Sequence, residues 1–100
     1  MSYEVSITPG AEESLEELLV WWGRNRTSAN PLSNELANIE LLLGENPGIG
    51  ALYKQRGSFT ARRIRLGISP YYIYYSVDME NRKVLILAAW SAMRGEGPPI

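Results

Sequence analysis

The chain opens on a two-residue alternation, Tyr3, Val5 and Ile7 interleaved with Glu4, Ser6 and Thr8, which is the pattern of a strand buried on one face. Thr8 and Pro9 then supply an N-cap and a first-turn proline, and Glu12 and Glu13 sit where a helix N-terminus favours negative charge. Ala11, Leu15, Leu18, Leu19 and Trp22 recur at helical spacing, which predicts an amphipathic helix. It is expected to fray over Arg26 to Ser28, because Gly23, Asn25, Thr27 and Ser28 are weak helix formers. Asn30 and Pro31 read as the cap and first position of a second helix, with Leu32, Leu36, Ile39 and Leu43 as its apolar stripe and Gly44 as its end.

Beyond the breaker-rich Glu45 to Gly50, three strand-like stretches follow: Ser58 to Leu66, Tyr71 to Val77 and Lys83 to Trp90. Their connections are short enough for hairpins, so the predicted order is βααβββ. This is an α+β domain filling residues 1–100, with a helical hairpin packed on one face of a four-stranded, mainly antiparallel sheet. Alternation assigns Ile64, Leu66, Ile73, Tyr75 and Val77 to the helix-covered face, and Arg63, Arg65, Tyr72, Tyr74 and Ser76 to the other. The last strand is apolar on both faces, Val84, Ile86, Ala88 and Trp90 on one and Leu85, Leu87 and Ala89 on the other. Its second face therefore calls for a cover, a partner protein or a second copy of the chain.

Composition narrows the chemistry. Apolar residues make up 45% of the chain and charged residues 21%, an ordinary globular balance. There is no cysteine and no histidine, which removes disulfides, thiolate ligands and nucleophiles, the commonest metal ligand and the commonest neutral-pH base. Zinc enzymes and serine–histidine triads are excluded, and neither a metal nor a cofactor is expected. The longest unbroken apolar run, Val84 to Trp90, is 7 residues, against the ~20 needed to span a bilayer as a helix. The start Met1-Ser2-Tyr3-Glu4 does not read as a secretion signal, so a cytoplasmic protein is expected.

A net charge of −1 hides an asymmetry: residues 1–50 carry eight acids and two bases, residues 51–100 eight bases and three acids. A polyanion would meet the second half. Lys54, Arg56, Arg62, Arg63, Arg65 and Arg94 form the leading candidate site, since guanidinium forks match phosphates or carboxylates. Tyr72 and Tyr74 are expected to stand beside these arginines as aromatic platforms, whereas Tyr71, Tyr75, Trp21 and Trp22 read as packing. Glu12, Glu13, Glu16 and Glu17 read as a solvated helix face rather than a carboxylate site. Gly44 to Gly50 lacks the Gly-Lys-Ser/Thr ending of a phosphate loop and reads as a turn.

Four strings, in this order, are shared with a known family: Glu45-Asn46-Pro47-Gly48-Ile49-Gly50, Arg63-Ile64-Arg65-Leu66-Gly67, Pro70-Tyr71-Tyr72-Ile73-Tyr74-Tyr75-Ser76-Val77-Asp78, and Ile86-Leu87-Ala88-Ala89-Trp90-Ser91-Ala92-Met93-Arg94. Together they resemble the RelE/ParE family of bacterial toxins from type II toxin–antitoxin systems of the plasmid-stabilisation or addiction type. The resemblance implies a RelE/ParE-like fold and neutralisation by a cognate, ParD-like antitoxin, which would meet the chain at Leu85, Leu87, Ala89 and Trp90. Family members divide between ribosome-dependent cleavage of messenger RNA and poisoning of DNA gyrase. Ser91 stands where many RNA-cleaving relatives have histidine, no histidine or tyrosine follows it, and the Pro-Tyr-x-Ile-Tyr-Tyr string is closer to ParE. The expectation is a ParE-like inhibitor of gyrase that meets its target through Lys54, Arg56, Arg62, Arg63, Arg65, Tyr72, Tyr74 and Arg94. The alternatives are a RelE-like ribonuclease using Lys54, Arg63 and Arg65, and a toxin homologue with weakened or lost toxicity acting as an interaction module.

Overall fold

A computed structural model describes residues 2–25, 30–67, 71–93 and 95–100. The elements run β1 (Glu4–Ile7), α1 (Pro9–Asn25), α2 (Asn30–Glu45), a short 3-10 turn (Pro47–Ile49), β2 (Ala51–Arg56), β3 (Phe59–Arg65), β4 (Tyr71–Asp78) and β5 (Lys83–Ser91). Thr8 caps α1 as its position predicts. Its Oγ1 accepts from Ala11 N at 3.1 Å and its carbonyl from Glu12 N at 2.9 Å. The expected fraying at Arg26 to Ser28 and the side chains of Asn30 and Pro31 lie outside the described residues.

The sheet has five strands in the order β1-β5-β4-β3-β2; β1 runs parallel to β5 and the other pairs are antiparallel. The expected four strands and βααβββ order are thus corrected by one, because Ala51–Arg56 forms an edge strand. Its alternation is broken by a register shift between Leu52 and Lys54 that makes Tyr53 an extra residue, so it carries no regular two-residue signal. The β2–β3 connection turns at Gly57, whose φ of 56° belongs to the left-handed region that glycine enters without steric cost.

Both helices lie on one face. Ala11, Leu15, Leu18 and Trp22 of α1 and Leu32, Ile39 and Leu43 of α2 are buried in one cluster with Leu66, Ile73, Tyr75, Val84, Ile86 and Ala89, and Leu19, Leu36 and Ile64 pack against it. The predicted stripes are therefore the core. At the exit of α2, Gly44 carbonyl accepts from Tyr3 N at 2.6 Å. A Cβ on Gly44 would lie 3.2 Å from the Tyr3 carbonyl, so the close approach of α2 to the start of β1 favours glycine. No helix among the described residues is long and apolar enough to cross a membrane.

The last strand departs from simple alternation. Tyr74 pairs with Ala88 but Tyr75 pairs with Ile86, leaving Leu87 as an extra residue in β5. The bulge reverses the faces beyond it. Ala89, opposite Ile73, is buried in the core at 7% exposure, while Ala88 and Trp90 stand opposite Tyr74 and Tyr72. The expected grouping of Ala88 and Trp90 with Val84 and Ile86, and of Ala89 with Leu85 and Leu87, is corrected accordingly.

Candidate functional site

The face turned away from the helices is built by β2, β3, β4 and the end of β5. Arg63 and Arg65 stand opposite Tyr74 and Tyr72, so all four share it, as alternation predicts. The Arg63 guanidinium carbon lies 4.3 Å from the Tyr72 ring centroid and 5.9 Å from that of Tyr53, and Nη1 donates to the Tyr74 hydroxyl at 3.3 Å. That hydrogen bond, with the surrounding phenols, raises the guanidinium above its ordinary pKa. Tyr53 meets Tyr74 edge-to-face at 4.7 Å, and Tyr72 meets Tyr74 at 6.1 Å. The result is a cation held in a frame of three phenols.

The bulge in β2 sets the next part. Lys54 lies opposite Ala61 on the same face, and Tyr53, one residue earlier, reaches that face too through its contact with Tyr74. Both donate to the segment 95–100. The Tyr53 hydroxyl donates to Pro98 O at 3.3 Å and Lys54 Nζ to Ile100 O at 2.7 Å, while Trp90 Nε1 donates to Glu96 O at 2.9 Å. The segment therefore lies across one side of the cationic frame, with Pro98 buried.

Not every expected residue joins this face. Arg62 stands opposite Tyr75 on the helix side, where Nη1 donates to Gly50 O at 2.8 Å. Tyr75 completes that structural knot, its hydroxyl donating to Pro47 O and accepting from Gly50 N, both at 2.8 Å. Arg62 thus pins the turn before β2 and is separated from Arg63 and Arg65 by the sheet. Tyr74 is only 1% exposed; it is placed to hold Arg63, not as an open platform. Ala89 lies in the core, apart from Leu85 (37% exposed) and the half-buried Leu87 and Trp90. Arg56 is exposed at the β2–β3 hairpin end. Arg94 lies outside the described residues. Sequence reasoning missed Tyr53 and the segment 95–100. No regular period marks Tyr53, whereas the stiff Pro98-Pro99 pair is a signal for the segment 95–100.

As chemistry, the face offers fixed cations, phenol edges and backbone acceptors. Among the described residues no group of three or more histidine, cysteine or acidic side chains is arranged to hold a metal ion.

A family model described as the ParE toxin of the type II toxin–antitoxin system, parDE, matches residues 5–94. The chain belongs to this family, within the RelE/ParE superfamily. Among the solved structures that share its fold are two toxin–antitoxin complexes. One is the archaeal RelE–RelB complex from Pyrococcus horikoshii OT3, with a TM-score of 0.72, 19% identity, and coverage of 95% of this chain and 100% of that one. The other is the toxin–antitoxin complex RelBE2 from Mycobacterium tuberculosis, with a TM-score of 0.63, 19% identity, and coverage of 91% and 99%. No curated protein matches the sequence.

Proposed function

We propose that this member of the ParE toxin family inhibits DNA gyrase through protein contacts made by the face carrying Arg63, Arg65, Tyr72 and Lys54, in the bacterial cytoplasm, and that a cognate ParD-like antitoxin silences it. The observation that carries the reading is the make-up of that face: the Arg63 guanidinium held by phenols with Lys54 and Arg65 on the same side of the sheet, in a chain with no histidine. Cleavage of RNA through its 2′-hydroxyl requires a proton to be taken from one oxygen and given to another near neutral pH, and fixed guanidiniums serve that poorly. Binding to a protein target requires only the cations and aromatic surface. The antitoxin has apolar surface to cover on β5, at Leu85 and Leu87, and on the helices, at Trp21, Leu41 and Leu42.

The ribonuclease is the second reading, favoured by Lys54, Arg63 and Arg65 sharing one face. Purified protein added to gyrase and plasmid, and separately to translating ribosomes, tests between them. Blocked supercoiling with accumulating cleaved plasmid is expected; site-specific transcript cuts lost on Lys54→Ala, with supercoiling intact, would replace the gyrase reading.

A further inference from the structure

Three donors on the sheet face, Trp90 Nε1, the Tyr53 hydroxyl and Lys54 Nζ, are bonded to the carbonyls of Glu96, Pro98 and Ile100. The acceptors are every second residue of one segment, which turns its carbonyls onto the sheet and closes with a bond from Ile100 N to Pro98 O at 2.9 Å. Two bulges bring the donors into one row. The extra Tyr53 in β2 lets adjacent Tyr53 and Lys54 face the same way, and the extra Leu87 in β5 carries Trp90 round to the face of Tyr72. The fit extends to packing, since a Cβ on Gly97 would run into the Tyr53 hydroxyl and ring.

This is a row that reads peptide backbone, and it borders the Arg63 frame assigned to the target. We propose that residues 95–100 are a displaceable strap, an internal ligand filling a docking row for a polypeptide segment with carbonyl acceptors at alternate residues, and that a partner protein takes the row when the strap lifts. The proposal deepens the gyrase reading and rests on it only for the partner's identity. Strap and partner compete for the same three donors. An intramolecular occupant at millimolar effective concentration lowers apparent affinity by the fraction of chains left open.

The test uses the full chain carrying Gly97→Val, which drives the strap from Tyr53 without shortening the protein. The probe is a synthetic peptide, Gly-Glu-Gly-Pro-Pro-Ile, with the sequence of residues 95–100. The variant is expected to bind it about tenfold more tightly than the parent. Its Trp90 indole N–H resonance should shift from the parental position and return as the peptide saturates, and adding Lys54→Met should abolish binding. Equal affinity in both chains, an unmoved Trp90 resonance, or binding of a single-stranded RNA oligomer in place of the peptide would overturn the proposal. Should Gly97→Val misfold, hydrogen exchange at the Trp90 indole in the parent serves instead: protection relaxed by Lys54→Met is expected, and no protection contradicts the strap. Neither arm uses gyrase, so the strap and the gyrase reading fail separately.

Discussion

The Arg63 guanidinium stacks on Tyr72, 4.3 Å from its ring centroid, although the residue directly across the ladder from Arg63 is Tyr74. The contact is diagonal, within reach of a long side chain, and leaves Nη1 free to bond the Tyr74 hydroxyl. One tyrosine orients the plane and the other fixes its edge. Arg63→Lys keeps the charge but loses the planar stack and the fork. Both Arg63→Lys and Arg63→Ala are expected to weaken target inhibition by at least about tenfold, while a urea titration shows a stability loss of only about 1 kcal/mol.

The bulge at Leu87 makes Ala89 and Leu85 opposites in behaviour. Ala89→Glu places a carboxylate in the core beside Ile73 and is expected to cost roughly 3–5 kcal/mol or prevent folding, since an unpaired charge is buried. Leu85→Glu, at 37% exposure, should stay within about 0.5 kcal/mol. Urea midpoints of the two variants decide whether the face reversal is correct.

The alternation of β3 and β4 and the two helical stripes were legible because each is a regular period with one face buried: Ile73 and Tyr75 point to the helices and Arg63 and Tyr72 away, as the pattern demands. The rest was hidden by the two bulges. An extra residue carries no sequence signature of its own. Leu-Ile-Leu-Ala-Ala-Trp reads the same with or without a slip at Leu87, and Ala51–Arg56 lost its period at Tyr53. Charge alone groups Arg62 with its neighbours, but a strand sends adjacent residues to opposite faces, and Arg62 serves the turn at Gly50.

Tyr75 holds that turn through two hydrogen bonds. Tyr75→Phe removes both and leaves Gly50 N and Pro47 O without the hydroxyl, an expected loss of about 1–3 kcal/mol with faster amide exchange at Gly50. Gly50→Ala brings a Cβ within 2.8 Å of the Arg63 carbonyl and is expected to cost about 1–3 kcal/mol by overpacking. Chemical denaturation with residue-resolved exchange measures both.

Burial pushes the Tyr75 hydroxyl above the usual phenol range, against the lowering effect of the Gly50 bond and the Arg62 charge. A folded-state pKa raised above the unfolded one gives stability that is complete below the unfolded value, about 10, and lost as pH climbs through the folded value. With no histidine in the chain, stability should be flat through neutrality and fall in alkali, and the alkaline fall should shrink in Tyr75→Phe. Urea midpoints on either side of about pH 10 check the sign.

On the proposed function, the face opposite the helices is what meets the target. The most direct measurement is gyrase supercoiling titrated with the parent chain, with Arg63→Ala/Arg65→Ala, and with Glu12→Ala/Glu16→Ala on the far side of the molecule. The parent and the glutamate variant are expected to block supercoiling at equal concentrations while the arginine variant fails to do so. Equal inhibition by all three, or none by the parent, would contradict the account.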